Sequence, residues 1–386
     1  MPTPIHRRTL LAAAPLLALP GSAPGWLGAL RARAAALNGP GLLRSYDVAG
    51  TSAFDIAHAN TAYVYDNAVA GLALLLSGDV AMARRLGDAL ATAQATDRFF
   101  HDGRVRNAYA AGPSPRTGTY PLPGWWDARQ GHWLEDAYQA GSATGVVAWA
   151  MLLWVGLHRA TGDTVYFNAA NKAADWVERS TTATLGFSGG FFGFEPAQRK
   201  DIWVSTEHNT DLAAAFAGLG RVASAAHARD FVASMWVPAQ GRFLTGLRPD
   251  GSRNDFSAVD ANIWPSFLPD ADPAWARALA WVLANHGLPG GVDFNTDRDG
   301  IWLEGTAMTA LALKRANRQD AYVQFMATLR AQTAPSGLMY ATTTPSLTTG
   351  LSTGVSLTTP DFLYYRRPHI APTGWAVLAA GNVDPF

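Results

Sequence analysis

The chain contains no cysteine. Disulfides and thiolate metal sites are therefore excluded, and packing and hydrogen bonding must hold the fold. Lysine is almost missing: only Lys172, Lys200 and Lys314 occur in 386 residues. Charged residues make up 16% of the chain and the formal net charge is zero. No basic stripe follows, so a nucleic-acid partner is not expected. The apolar run Leu10 to Leu19 is too short to span a bilayer as a helix. There is no His-Glu-x-x-His run, which speaks against a zincin. Gly186-Phe-Ser-Gly-Gly190 lacks the strand-turn-helix frame of a nucleophile elbow. Asp293 to Gly300 has the acidic spacing of a calcium loop without its closing Glu, and reads as a polar turn. Neither a metal nor a cofactor is expected.

Aromatics are plentiful, with 14 Trp and 11 Tyr. Many of these belong in a core; any that stand on loops form flat apolar platforms on which sugar rings stack. At the N-terminus Arg7-Arg8 precedes Leu10 to Leu19 and then Pro20-Gly21-Ser22-Ala23. This pattern reads as an export signal of the twin-arginine type over residues 1–24, with a periplasmic or extracellular destination. An ordinary secretory signal is the alternative. No membrane contact is expected once the signal is removed.

Internal repetition sets the architecture. Four segments pair an Ala/Leu-rich helix with a second helix: Tyr63 to Ser77 with Val80 to Thr96, Gly141 to Ala160 with Val165 to Arg179, Glu207 to Ala223 with His227 to Trp236, and Glu304 to Ala316 with Ala321 to Gln332. A weaker copy pairs Val259 to Leu268 with Ala274 to Asn285. The last helix, Thr373 to Ala380, finds its partner in Trp26 to Leu37 at the other end of the chain. First helices carry small residues on most sides, as buried helices do; second helices alternate apolar with polar residues. The expectation is an all-α fold, an (α/α)6 barrel over residues 25–386 forming one catalytic domain. An open α-solenoid is the competing arrangement. Gly-aromatic segments between the hairpins, such as Gly189 to Phe194, read as turns and short strands gathered at one end.

In such a ring every inner helix points the same way, so the helix starts converge on one mouth. Trp203-Val-Ser-Thr-Glu-His-Asn-Thr-Asp211 is the densest of these starts. Ser205 or Thr206 caps the helix, and Glu207 and Asp211 share a face four residues apart. Asp66, Asp260 and Glu304 open other inner helices. An acidic, aromatic-lined cleft on an exported protein points to carbohydrate. Glycoside hydrolysis needs one protonated carboxyl and a second carboxylate facing it. Glu207 is the expected general acid and Asp66 the expected base, with Glu304 as its substitute. Tyr65, Trp126, Trp203, His208, Asn209, Asp260, Trp264 and Glu304 are the expected substrate-binding residues. The connection Gly112 to Ala140, with Trp125, Trp126 and Trp133, is expected to drape over the mouth.

Tyr65-Asp66-Asn67-Ala68, Ser205-Thr206-Glu207-His208-Asn209, Glu304-Gly305-Thr306-Ala307 and Arg367-Pro368-His369 with Gly374-Trp375 resemble secreted bacterial proteins of the six-hairpin glycosidase group. The resemblance covers the chain from about Leu42 onward. It implies hydrolysis of a bacterial or plant polysaccharide, commonly with inversion and without a cofactor. An oligosaccharide is the other expected substrate, and a monomer is expected. Related barrels include polysaccharide lyases and sugar epimerases; His208, Asn209 and Tyr65 would suit a lyase acting on a uronate. A non-catalytic carbohydrate-binding protein is the remaining alternative.

Overall fold

The computed structural model describes residues 25–351 and 362–386. The expected export signal at 1–24 lies outside the described residues, as do residues 352–361. Twelve helices dominate: α1 (Trp26–Ala36), α2 (Val64–Leu76), α3 (Val80–Ala95), α4 (Thr144–Thr161), α5 (Thr164–Thr181), α6 (Thr206–Gly218), α7 (Val222–Ser234), α8 (Val259–Ile263), α9 (Arg277–Asn285), α10 (Leu303–Arg315), α11 (Gln319–Ala331) and α12 (Ile370–Gly381).

The even-numbered helices form an inner ring. Each packs on the next, from α2 through α4, α6, α8 and α10 to α12, and α12 returns to α2. The odd-numbered helices back them from outside, and α1 packs on α12, so the two ends of the chain close the circle. This is an (α/α)6 barrel, not an open solenoid. Composition explains the division. Nearly every residue of α2, α10 and α12 is buried, and Ala and Gly let the inner helices approach. Helix α5 buries one stripe, Tyr166, Ala169, Ala170, Ala173, Ala174 and Val177, at helical spacing. Gly87 in α3 shows what close approach requires. A methyl there would stand 2.2 Å from Leu157 of α4. Its carbonyl accepts the indole N–H of buried Trp154 at 3.0 Å.

Three hairpins differ from the sequence reading for local reasons. Helix α6 ends at Gly218, not Ala223, and α7 begins at Val222, not His227, because Gly220 takes a positive φ of 74° and turns the chain there. Helix α8 is α-helical only to Ile263 and continues as a 3-10 turn, Trp264–Phe267, because Pro265 has no N–H to carry the α-helical ladder onward. Helix α12 begins at Ile370 instead of Thr373, since Pro372 falls in the first turn, where its missing N–H costs nothing.

The Gly-aromatic segments do form short strands. The largest group is an antiparallel meander of β1 (Ser142–Ala143), β2 (Ser188–Phe192), β3 (Arg199–Ser205), β4 (Gly246–Leu247) and β5 (Arg253–Asn254), in that spatial order. Strand β3 runs directly into α6, which places this sheet at the end where the inner helices start.

Candidate active site in the barrel mouth

Five of the six inner helices begin without any side-chain cap on their first turn. Only α6 has one, with the Ser205 hydroxyl accepting from the His208 N–H at 3.4 Å. The polar residues at these starts therefore do other work, and their register divides it. At the fourth helical position stand Asn67, Asn209, Asn262, Thr306 and Thr373. Each donates to the carbonyl one turn back and accepts a backbone N–H from a neighbouring segment. The accepted N–H groups are those of Leu43, Phe187, Phe243, Val292 and Met339, at 2.8 to 3.1 Å. These five side chains strap the mouth loops to the ring.

At the second helical position stand Tyr65, Gly145, Glu207, Asp260, Glu304 and Ala371. The first five line a cavity of about 900 Å³ at the mouth, together with Asp66 and His208 from the third position. Trp149, Trp264 and Met308, one turn deeper, form its floor. Beneath them Trp264 stacks on Trp375 at 5.8 Å, and Phe386 packs edge-on against Trp149. The floor is thus an aromatic plug, and residues of β2, β3 and β4 line the cavity above the helix starts.

Four carboxylates face this one space, each in a different setting. The Glu207 carboxyl has no hydrogen-bond partner among the described residues and is only partly buried. Removal from water pushes its pKa well above the usual range, with the charges of Asp260 and Glu304 adding to the rise. Glu304 is 2% exposed and accepts the Tyr65 hydroxyl at 2.5 Å; Tyr65 in turn accepts the Trp375 indole N–H at 2.9 Å. Burial raises Glu304 strongly, the Tyr65 hydrogen bond opposes, and Asp66 and Asp260 reinforce. Asp260 is pushed up to about 6 by burial, against the hydrogen bond it accepts from the Ala261 N–H. Asp66 pairs with His369, Nε2 to Oδ2 at 2.8 Å, and its Oδ1 has no partner among the described residues. His369 is held flat against Tyr46, ring centroids 3.9 Å apart. His208 lies against Trp203, and a methyl on Gly145 would stand 2.4 Å from its ring, so only glycine fits there. Burial lowers His208 to about 4, which leaves it neutral near pH 7.

The cavity thus gathers Tyr65, Asp66, Trp203, Glu207, His208, Asp260, Trp264 and Glu304 of the expected residues. Two expectations are corrected. Asn209 is fully buried with both ends of its amide engaged, to Phe187 and to the Ser205 carbonyl, so it is a strap and has nothing left for a substrate. Trp126 is 62% exposed on the hairpin of Trp125–Asp127 and His132–Leu134 and does not line the cavity. The connection Gly112 to Ala140 reaches the cavity through Tyr138 alone. Its tryptophans stay outside because the hairpin pairs with itself, anchored through Glu135 to Arg98 at 2.6 Å. Sequence reading did not single out Trp149, Met308, Tyr46 and Tyr138 as lining residues. Trp149 and Met308 share the ring position of Trp264, a signal visible only once all six helix starts are in register. Tyr46 belongs to no helix start and carries no such signal.

Asp293, Asp297 and Asp299 bring carboxylate oxygens within 4.8 Å of one another, the only such grouping found among the described residues. Burial, then the neighbouring Asp297, raises Asp293 to about 8. Asp297 and Asp299 also tie this turn to Thr348.

No family model and no curated protein sequence matches this chain. Solved structures do match. A glycosidase variant in complex with glucose superposes with a TM-score of 0.59 at 15% identity, covering 92% of this chain and 97% of the other. The cellobiose 2-epimerase of Bacillus thermoamylovorans B4167 gives 0.62 at 10% identity, covering 88% and 92%. That of Spirochaeta thermophila DSM 6192 gives 0.60 at 12%, covering 92% and 96%. At such identities the likeness establishes a shared fold, one used by both glycosidases and sugar epimerases.

Proposed function

We propose that this chain is a glycoside hydrolase acting on an oligosaccharide or polysaccharide by a two-carboxylate mechanism with inversion. The observation that carries the reading is the set of four carboxylates around one cavity, of which Glu207 alone has no hydrogen-bond partner among the described residues; its surroundings also favour its protonated form. In this mechanism the Glu207 O–H protonates the glycosidic oxygen as the bond from the anomeric carbon breaks. Asp66 Oδ1 accepts a proton from the water that attacks the same carbon from the other face. His369 orients Asp66, as Tyr65 orients Glu304. Asp260 and Glu304 accept sugar hydroxyls, Trp203 and Trp264 offer apolar ring faces, and neutral His208 offers a hydrogen bond. One chain carries every group named, which fits a monomer without a cofactor. Arg7-Arg8 and the apolar run after it support action outside the cytoplasm.

A second reading is favoured by one feature: His369 and His208 share the cavity, and His369 is paired with a carboxylate as a general base would be. Proton abstraction from a sugar carbon, by an epimerase or a lyase, would use it. One experiment separates these readings. The purified protein is incubated with a glycan panel in D2O and followed by proton NMR and absorbance at about 235 nm. Hydrolysis gives new reducing ends whose first anomer is inverted, with no deuterium on carbon. Epimerisation gives carbon-bound deuterium without cleavage; elimination gives ultraviolet absorbance. Glu207→Gln should cost the hydrolase at least about a thousandfold in kcat with binding retained, whereas a binding protein would be unaffected.

A further inference from the structure

The sixth positions of the inner helices, one turn below the second, are Val69, Trp149, Asp211, Trp264, Met308 and Trp375. Five are apolar, as the plugged axis of the barrel requires. The sixth is Asp211, fully buried, with neither carboxyl oxygen hydrogen-bonded among the described residues. An orphaned buried carboxyl opposes folding, and the fold plainly accepts a valine or methionine at this level. Asp211 also lies directly under Glu207, four residues on along the same face of α6.

We propose, on the hydrolase reading, that Asp211 is a positioning residue acting through Glu207: a protonated carboxyl that donates its O–H to the carboxylate Glu207 becomes after protonating the leaving group. No proton changes owner in this contact. The Glu207 proton goes to the glycosidic oxygen, and the Asp211 O–H turns toward the new charge. Burial first, then Glu207 and Asp260, holds the Asp211 proton well above the usual aspartate range. The surroundings provide no cation. Helix α4 presents Trp149, whose indole N–H has no other partner and opposes the rise weakly; the contact falls short of a well-formed hydrogen bond. Helix α7 buries Ala228, Phe231 and Val232; β3 delivers buried Val204; α8 contributes Asp260, and its 3-10 extension Trp264. On α6 itself only Glu207 and neutral His208 titrate nearby.

The test uses the pH profile of kcat/KM on a glycan the enzyme cleaves. Asp211→Leu should lower kcat about ten- to a hundredfold with KM nearly unchanged. It should also move the basic limb up by about one pH unit, because the Glu207 carboxylate loses a donor. Asp211→Asn keeps an N–H donor and should stay within about threefold of the parent. A downward shift in both variants would mean that Asp211 is ionised and repels Glu207, and would overturn the proposal. So would a lower Tm with an unmoved profile. Carboxyl ¹³C titration of the unmodified protein needs no substrate or variant. An Asp211 resonance titrating near pH 4 refutes the proposal whatever reaction the cavity performs; one protonated through neutral pH, together with the upward shift in Asp211→Leu, supports it.

Discussion

Replacing Asp260 with Asn changes one charge in the mouth and nothing in its volume. Asp260 is 6% exposed, and its pKa of about 6 stands roughly two units above the 3.8 of an ordinary aspartate. At about 1.4 kcal/mol per unit, ionising this group costs the fold about 3 kcal/mol. The folded state holds the proton more tightly than the unfolded one. The cost is therefore absent below about pH 4, grows between pH 4 and 6, and is complete above that. Asparagine escapes it and still accepts the Ala261 N–H through its Oδ1. Asp260→Asn should match the parent at about pH 3.5 and exceed it by about 2–3 kcal/mol at pH 7.5. With about 2.1 cal/mol/K of unfolding entropy per residue over about 360 residues, that is a Tm gain of about 3–4 °C. Calorimetry at the two pH values gives the double difference directly. The kinetics supply a second readout: Asp260 helps hold Glu207 protonated, so neutralising it should bring the basic limb of kcat/KM down. A variant less stable than the parent at pH 7.5, or equally stabilised at both pH values, would refute the electrostatic account of the mouth.

Tyr65→Phe removes the hydroxyl that donates to Glu304 and accepts from Trp375. It should lower stability by about 1–3 kcal/mol and raise the Glu304 pKa further, which carboxyl ¹³C titration would read. Asn209→Ala should cost about 2–4 kcal/mol in urea melts, because it orphans the Phe187 N–H and carbonyl. The folded fraction should keep its KM, since the strap does not reach the cavity. Arg106→Met breaks a buried cluster in which Arg106 bonds Asp97 at 2.6 Å and Glu195 at 2.8 Å. It should cost about 3–5 kcal/mol at pH 7. Asp97 and Glu195 are held below their usual range by Arg106, so the parent's advantage should shrink as pH falls below about 4.

Helix pairing was legible because hairpins repeat, and repetition survives without knowledge of any contact. The convergence of Asp66, Glu207, Asp260 and Glu304 followed from it, since parallel inner helices must start on one side. Assigning jobs to individual polar residues did not follow. Asn209 and Glu207 look alike in the sequence, two polar residues in one first turn. Two helical positions, about 200° of rotation, send one into the loops and the other into the cavity. Trp126 misled for a different reason: an aromatic on a long connection reads as a lid, but cross-strand pairing of its hairpin holds it outside.

By itself, then, the amino-acid order determined which segments are helices, that they come in pairs, and that acids and aromatics gather at the inner starts. These are local properties, written in periodicity and composition. The tertiary structure alone decided which carboxyl is left without a partner, which is tied to His369 or Tyr65, and that Asp211 lies dry beneath Glu207. The ties to His369 and Tyr65 join side chains more than two hundred residues apart across a closed ring, and the dryness of Asp211 comes from the water that ring excludes.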